Sequence, residues 1–295
     1  MPRRLWDIYL KLEPLDVKVL RVIEKGLSKY EFVPLEYIER RIRASPTRVN
    51  RSLDKLNELK LIRRYVGHTT GYTLTYMGLD ILALSALVAR EVISRLGDTI
   101  GVGKEGRIYL AESPAGDLVV VKFHREGRRS FQHIRKLRSY AMQVPRKSWF
   151  RVAKLVGERE FKVLAALKDE GAKVPNPIAW NRHAVVQEFI PGVELYRVRD
   201  LSVDEAEKIL NDIIDTLAIA YQRVGVVHGD LSEYNVLVTE DIEAYIIDWP
   251  QFVYKDEPGA DELLLRDVRY IANFFKRKYR IQVDIGEILK RVRGG

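Results

Sequence analysis

The chain of 295 residues has no cysteine, which excludes disulfides, thiolate zinc sites and cysteine nucleophiles. Its five histidines are scattered, so a histidine-rich metal site is not expected either. Long apolar runs are missing: the longest nearly apolar stretch, residues 81–89, is about half of the roughly 20 residues a membrane helix needs. The opening Met1, Pro2, Arg3, Arg4, Leu5, Trp6 and Asp7 contain no apolar export segment, so a cytoplasmic location with no membrane partner is expected. What is present, 46% hydrophobic and 31% charged residues, is the composition of a globular chain, and the length favours two domains.

A net charge of +9 points to an acidic partner such as nucleic acid, and its distribution is uneven. Residues 1–98 hold 18 basic against 12 acidic residues, a third of the chain with two thirds of the excess. Residues 125–154 hold ten basic residues, among them Arg128, Arg129, Arg135 and Arg138, and a single acid, Glu126. Phe131, Ile134, Leu137, Tyr140, Trp149 and Phe150 interleave with these cations, a composition suited to pairing phosphates and stacking on bases. We expect a mobile, RNA-facing segment there, against the plainer alternative of a loop with incidental charge.

Three amphipathic helices are predicted near the N-terminus from Val17, Leu20 and Ile23, from Leu35, Ile38 and Ile42, and from Val49, Leu53, Leu56 and Leu59. Ser45 and Pro46 form a hydroxyl cap followed by a proline suited to the first helical position, giving a tight helix-turn-helix junction. A hairpin should follow, from Ile62 to Val66, through a turn over residues 67–71, into Tyr72, Thr73 and Leu74. Three helices and a hairpin look like a winged helix. Its third helix would turn Arg48, Arg51, Asp54 and Lys55 outward, with Arg63, Arg64 and His68 on the wing, as tentative nucleic-acid contacts. Asp54 and Glu58 on the same helix leave open an ordinary solvated face or a protein contact. Residues 76–96 are apolar round much of a helix and are expected to pack between the two domains.

Gly101, Val102, Gly103, Lys104, Glu105 and Gly106 match G-x-G-x-x-G, a weak signal alone. A hairpin rather than a helix follows: Ile108 to Ala111, a turn at residues 114–117, then Leu118 to Phe123. That is the order in which a protein kinase covers ATP phosphates with a glycine loop and reaches them with a strand lysine, here Lys122. A lysine in so apolar a strand needs an anionic partner, unless it sits on an edge and reaches solvent. The next helix, read over residues 152–168, sets Glu160 on its inward stripe with Val156, Val163 and Leu164, so Glu160 is assigned to that ion pair. The alternative is an exposed acid in a helix-surface pair.

The most specific signal is His228, Gly229, Asp230 and Asn235, an H-G-D-x-x-x-x-N loop before an apolar strand. Asp230 can accept a hydroxyl or water proton, and Asn235 can ligate a metal from the same loop. Asp248 then follows the apolar Tyr245, Ile246 and Ile247, where a carboxylate can hold Mg²⁺ against phosphates. Adenine recognition is assigned to the backbone at Gln187, Glu188, Phe189 and Ile190, where an apolar strand ends before Pro191 and Gly192.

Glycine loop, Lys122, Glu160 with Phe161, residues 181–186, residues 228–235 and Ile247, Asp248, Trp249, Pro250 and Gln251 come in an order that resembles the RIO atypical protein kinases. An N-terminal winged helix marks that family's second subfamily, and the form here is archaeal-like. The resemblance implies an α+β chain: a winged helix-turn-helix domain followed by a truncated bilobal kinase-like domain. It further implies ATP with Mg²⁺ (or Mn²⁺), an ATPase or switch-like serine/threonine kinase, and a role in small ribosomal subunit maturation with precursor ribosomal RNA and ribosomal proteins as partners. The phosphate site is then Gly101, Gly103, Lys104, Gly106 and Lys122, with Asp230, Lys122 and Glu160 catalytic and Asn235 and Asp248 on the metal. Two departures are Gly106, where the family usually has serine or alanine, and Trp249, where it usually has phenylalanine.

Expected boundaries are residues 1–90 for the winged helix, a linker helix to about 97, an N-lobe over 98–189 and a C-lobe over 190–295. Only 47 residues follow Asp248, and they read as a loop and two helices over 263–279 and 285–292, without the A-P-E element that seats a peptide. Hydrolysis, self-phosphorylation or a large folded partner is favoured over a peptide in a groove. The alternatives are a small-molecule phosphotransferase of the aminoglycoside or choline kinase kind, and a DNA-binding regulator that senses ATP.

Overall fold

The structure, a computed structural model, describes residues 4–102, 106–125 and 149–295. Gly103 and Lys104 of the glycine loop, and Arg128, Arg129, Arg135 and Arg138 of the basic run, lie outside the described residues. The chain forms two compact units: one runs to Leu155 and includes Trp180–Ala184, and the other holds Val156–Ala179 and Val185–Gly295.

The first unit opens with α1 (Leu5–Leu10), α2 (Pro14–Gly26), α3 (Leu35–Glu39) and α4 (Pro46–Glu58). Ser45 caps α4 by accepting from the Arg48 N–H at 3.4 Å, with Pro46 at the first position, as its sequence predicts. Helix α3 is shorter than its periodicity implies, ending at Glu39, although Ile42 is still buried. Strands β2 (Ile62–Val66) and β3 (Thr70–Leu74) form the wing, with Thr70 and Gly71 inside the ladder rather than in the turn. A short β1 (Val33–Pro34) completes a sheet in the order β1-β3-β2, and the winged helix is complete.

Its core is fastened by a buried acid. Asp16 on α2 accepts from the Ser52 hydroxyl at 2.6 Å and from the Lys55 ammonium at 2.7 Å, and its Oδ2 also accepts from the Glu13 N–H at the head of the helix. Lys55 is therefore turned toward α2 instead of lying freely on the outer face. Arg48, Arg51, Arg63 and Arg64 are exposed.

Helix α5 (Tyr76–Ala89) begins at a Thr75 cap and is buried through most of its length. The run from residue 76 to 96 is thus not one helix, since β4 (Arg95–Val102) starts within it. Strands β4, β5 (Gly106–Glu112) and β6 (Leu118–His124) make an antiparallel meander in this unit. Two register shifts bend β4 before its glycine end. At Gly106 an added Cβ would come 2.5 Å from the Phe123 carbonyl oxygen, so the glycine allows β5 to approach β6 this closely.

Charges on buried stripes join these parts. Asp80 of α5, fully buried, accepts from Arg125 and from His183 Nε2 at 2.8 Å. Because a carboxylate only accepts, His183 must carry its proton on Nε2. Burial pushes the His183 pKa down against the opposing pull of Asp80, which keeps the ring neutral. Arg182, at the left-handed turn (φ 57°) between β7 (Pro177–Asn181) and β8 (Ala184–Glu188), forks onto Glu24 of α2 at 2.8 and 2.7 Å. Lys154, near the start of α6 (Trp149–Asp169), meets the same carboxylate at 2.6 Å.

In the second unit, α7 (Val203–Ile219) starts at a Ser202–Glu205 capping box, and after a π turn at Ala220–Val224 come β10 (Val226–Val227), β11 (Val236–Thr239) and β12 (Ala244–Ile246). Strand β11 pairs with β12 and with β9 (Gly192–Glu194), while β10 pairs with β13 (Val253–Tyr254). Helices α8 (Ala260–Tyr279) and α9 (Ile285–Arg293), close to their sequence-predicted spans, complete the core around Trp249 and Phe275. No described helix is long and apolar enough to cross a membrane.

Burial pushes the Glu24 pKa up, but the Arg182 fork and Lys154 outweigh it and hold the carboxyl below the usual glutamate range. A lowered pKa means that Glu24 stabilises the fold fully above the ordinary glutamate value and loses that contribution as pH falls through the lower, folded value. Glu24→Gln is expected to destabilise the chain by about 3 kcal/mol at neutral pH. Denaturant unfolding should show the difference from the parent shrinking below about pH 4. A gap that stays constant with pH would contradict this.

Candidate active site

The H-G-D loop follows β10, which is paired with β13. Val226 and Val227 of β10 pair with Tyr254 and Val253 of β13, so the chain entering the loop and the chain leaving the Asp248 turn are hydrogen bonded together. His228 is fully buried against the Trp249 ring, with centroids 4.6 Å apart. Its Nδ1 accepts from the Asp230 N–H at 3.3 Å, which leaves Nε2 to donate to the Ile247 carbonyl at 3.1 Å. One imidazole therefore holds the Asp230 loop and the residue before Asp248.

Gly229 adopts φ 75°, where a side chain would be strained. In that conformation its N–H donates to Asp267 Oδ2 at 2.7 Å, and the Leu231 N–H donates to Asp267 Oδ1 at 3.2 Å. Arg266 donates to the Gly229 carbonyl. Asp267 is fully buried, and burial raises its pKa against the opposing effects of His228, the two amides and Arg266.

Asn235 Nδ2 donates to the Asp230 carbonyl at 2.8 Å, which orients the amide so that its oxygen faces away from that bond. The Asn235 carbonyl in turn accepts from the Ile247 N–H at 2.9 Å. Asp248 sits at φ 66°, a left-handed conformation that costs a non-glycine residue energy and is retained where the surroundings demand it. Trp249 anchors the turn through Nε1 to the Ile246 carbonyl at 3.1 Å. The tryptophan is thus a fully buried support for the Asp248 turn.

Asp230 is an exposed residue, yet its carboxyl is crowded by the loop. Its pKa is raised, first by partial desolvation and then by the carboxylates of Asp248 and Asp267, while His228 and Arg266 pull the other way. A metal would find one carboxylate, Asp248, and one amide oxygen, on Asn235. That set fits Mg²⁺, a hard cation that uses one or two carboxylates and takes the rest of its shell from phosphates and water. Among the described residues no group of three or more His, Asp or Glu forms a metal cage.

The structure therefore brings Asp230, Asn235 and Asp248 together within the second unit. Glu160 is fully buried on α6 in that unit, on the inward stripe its spacing predicts. Lys122, with 7% exposure on β6, and the glycines Gly101 and Gly106 belong to the first unit. Gln187 and Ile190 are buried, Glu188 and Phe189 half-buried. The Glu188 N–H is committed to the Asn176 carbonyl at 2.8 Å. Sequence reasoning missed Asp267 and Arg266. The signal was there: Asp267 falls on the apolar stripe of α8 with Leu264, Val268 and Ile271, and an acid on a buried stripe needs an internal partner.

A loop aspartate beside an amide and a carboxylate that could hold a metal is the arrangement of a phosphotransferase site of the protein-kinase kind. The family profile described as RIO domain matches residues 107–288, and the one described as Rio2, N-terminal matches residues 9–90. The chain belongs to the RIO family of atypical serine/threonine protein kinases, in its Rio2 branch. It is 36% identical over 274 residues to the RIO-type serine/threonine-protein kinase Rio2 of Methanocaldococcus jannaschii, covering 90% of this chain and 99% of that protein. With the serine/threonine-protein kinase rio2 of Schizosaccharomyces pombe it shares 35% identity, covering 94% of this chain and 79% of the other. Among solved structures, the Chaetomium thermophilum Rio2 kinase in an ADP/Mg²⁺-phosphoaspartate complex matches with a TM-score of 0.81 and 32% identity, over 97% of this chain and 88% of that one.

Asp267→Asn keeps the size of the side chain but removes its charge and one of its two acceptors. One charge-assisted hydrogen bond is worth about 1.5–3 kcal/mol, so the single-turnover rate should fall about 10- to 100-fold. Nucleotide affinity should change less than about twofold, because the asparagine touches the loop backbone and neither Asn235 nor Asp248. A drop in affinity that matches the drop in rate would sink this assignment.

Proposed function

We propose that the chain binds ATP with Mg²⁺ (Mn²⁺ serving equally as the ion) and cleaves the γ-phosphate as a switch in maturation of the small ribosomal subunit, in the cytoplasm. The observation that carries the chemical part is the shared bonding of the Asp230 loop and the Asp248 turn: His228 and Asn235 each bond to Ile247, so base and metal donors are held as one piece. Bound ATP and its metal supply the transferable phosphoryl group and neutralise its charge. Asp230 would orient the attacking hydroxyl or water and take its proton, while Asn235 and Asp248 would hold the ion. The phosphoaspartate in the Chaetomium thermophilum relative supports a reading in which a site aspartate can itself receive the phosphoryl group.

For adenine, the commitment of the Glu188 N–H to Asn176 removes that amide from the base edge and leaves the other backbone groups of Gln187, Glu188, Phe189 and Ile190 to meet it. The ribosomal part of the proposal rests on the winged helix. Arg48 and Arg51 on α4 and Arg63 and Arg64 on the wing are exposed on a domain whose fold is often used on nucleic acid, which favours precursor ribosomal RNA, with ribosomal proteins beside it, as the partner.

Two experiments test these parts separately. Asp248→Ala should weaken Mg²⁺-dependent ATP binding at least about tenfold, whereas Asp230→Ala should slow single-turnover cleavage by about 10² or more with affinity nearly kept. Equal losses of affinity in both variants would refute the division of roles. Replacing Arg51, Arg63 and Arg64 with glutamine should weaken binding to small-subunit precursor RNA and make its salt dependence shallower by about 2 in log–log slope, if each meets one phosphate. ATP binding should be unchanged, and an unaltered RNA slope would remove these arginines from the interface.

A further inference from the structure

Helix α6 carries Glu160, and the residue before it, Arg159, points at the segment that follows the metal-binding turn. The Arg159 guanidinium carbon lies 4.2 Å from the centroid of the Phe252 ring and 5.8 Å from that of Tyr254. Its Nη2 also donates to the Phe252 carbonyl at 3.3 Å. Phe252 is 3% exposed and sits edge-on to Tyr254 at 5.6 Å. Three residues separate Phe252 from Asp248, and the turn between them is closed by the Phe252 N–H donating to the Trp249 carbonyl at 3.3 Å. On its other side Tyr254 is paired in register with Val226, two residues before His228.

We propose that Arg159 is a positioning residue for the metal site: its guanidinium fastens the far end of the Asp248 turn to α6 and so maintains the left-handed backbone that presents the Asp248 carboxylate. The inference rests on Asp248 as a magnesium donor. The physical case is that a strained turn keeps its conformation only where contacts on both sides over-determine it. On the near side those contacts are His228 to Ile247 and Asn235 to Ile247; on the far side they are the Phe252 ring and carbonyl, both held by one side chain. A guanidinium can stack on a ring and donate in its own plane at once, which an ammonium cannot do with the same geometry. Arginine at this position therefore couples the helix bearing Glu160 to the turn bearing Asp248, within one unit.

The test compares Arg159→Met, Arg159→Lys, Phe252→Leu, Phe252→Tyr and the Arg159→Met/Phe252→Leu double variant in the full chain. Two quantities are read: ADP affinity with Mg²⁺ and with EDTA, and amide hydrogen exchange over residues 247–254 without nucleotide. Arg159→Met and Phe252→Leu should each lower Mg²⁺-dependent affinity about tenfold, leave affinity in EDTA within about twofold, and speed exchange in that stretch. Arg159→Lys should fall between, Phe252→Tyr should behave as the parent, and the double variant should be no worse than either single change, as expected for partners in one contact. The inference fails if affinity drops equally with and without Mg²⁺, if exchange at residues 247–254 is unchanged, or if the two losses add. Should Arg159→Met not fold, Arg159→Lys and Phe252→Leu decide the matter by the same readouts. Asp248→Ala run alongside separates the two ideas: if it leaves the Mg²⁺ dependence intact, the metal reading is wrong, whereas loss there with none in the Arg159 and Phe252 variants overturns only the role of Arg159.

Discussion

A carboxylate taken out of water must have its charge met by the protein around it, and Asp267 meets this condition through backbone amides. By accepting from Gly229 and Leu231 it fixes the residues on both sides of Asp230. Gly229 makes that bond from the left-handed region, where glycine carries no side-chain strain. His228 is then placed between Asp230 and Ile247, and through Ile247 the position of Asp248 is set. The arrangement is preorganised in the sense that matters for rate: its groups are oriented before any substrate arrives, so less ordering remains for the reacting state.

Buried and half-buried acids do the same work in the first unit. Asp16 joins α2 to α4 through Ser52 and Lys55, Glu24 joins α2 to the β7–β8 turn and to the start of α6, and Asp80 joins α5 to His183 and Arg125. Each ties elements far apart in sequence. Removing a single partner from such a cluster leaves a charge stranded in a poor dielectric, so the clusters enforce specific pairings more strongly than their net contribution to stability implies. For the winged helix the consequence is that α2 and α5 are joined by charge to Arg182 and His183 of the β7–β8 turn and to Arg125 after β6.

Much of this was legible in the sequence where a period or a local motif carried it. Ser45 with Pro46 marked the start of α4, the inward stripe placed Glu160, and the spacing of His228, Asp230, Asn235 and Asp248 described the second-unit site. Less legible was anything decided by a partner distant in sequence. Lys55 looks outward by helical phase alone, but Asp16, on another helix, draws its ammonium in. The Glu188 amide looked free for a ligand, yet Asn176 claims it. Asp267 was overlooked because α8 was read for its apolar residues, although the lone acid on that stripe was the informative position. Phe252 and Tyr254 fall in the stretch after Asp248 that reads only as a loop, and nothing local to them signals Arg159, some 90 residues earlier.

The composition of the proposed metal donors adds a constraint of its own. On the proposed assignment, one carboxylate and one amide oxygen, flanking the paired strands β11 and β12, are too few and too weakly charged to hold Mg²⁺ tightly without further oxygen ligands. Phosphates supply those ligands, so in this site ion and nucleotide must strengthen each other's binding, and by linkage to the same degree. Such coupling works only if Asn235 and Asp248 keep their spacing when empty, because energy spent on arranging them would be lost from both ligands. The shared bonds to Ile247 and the left-handed Asp248 turn meet that requirement from within one unit, which is why the support around the turn, from His228 on one side to Phe252 on the other, belongs to the chemistry as much as the donors do.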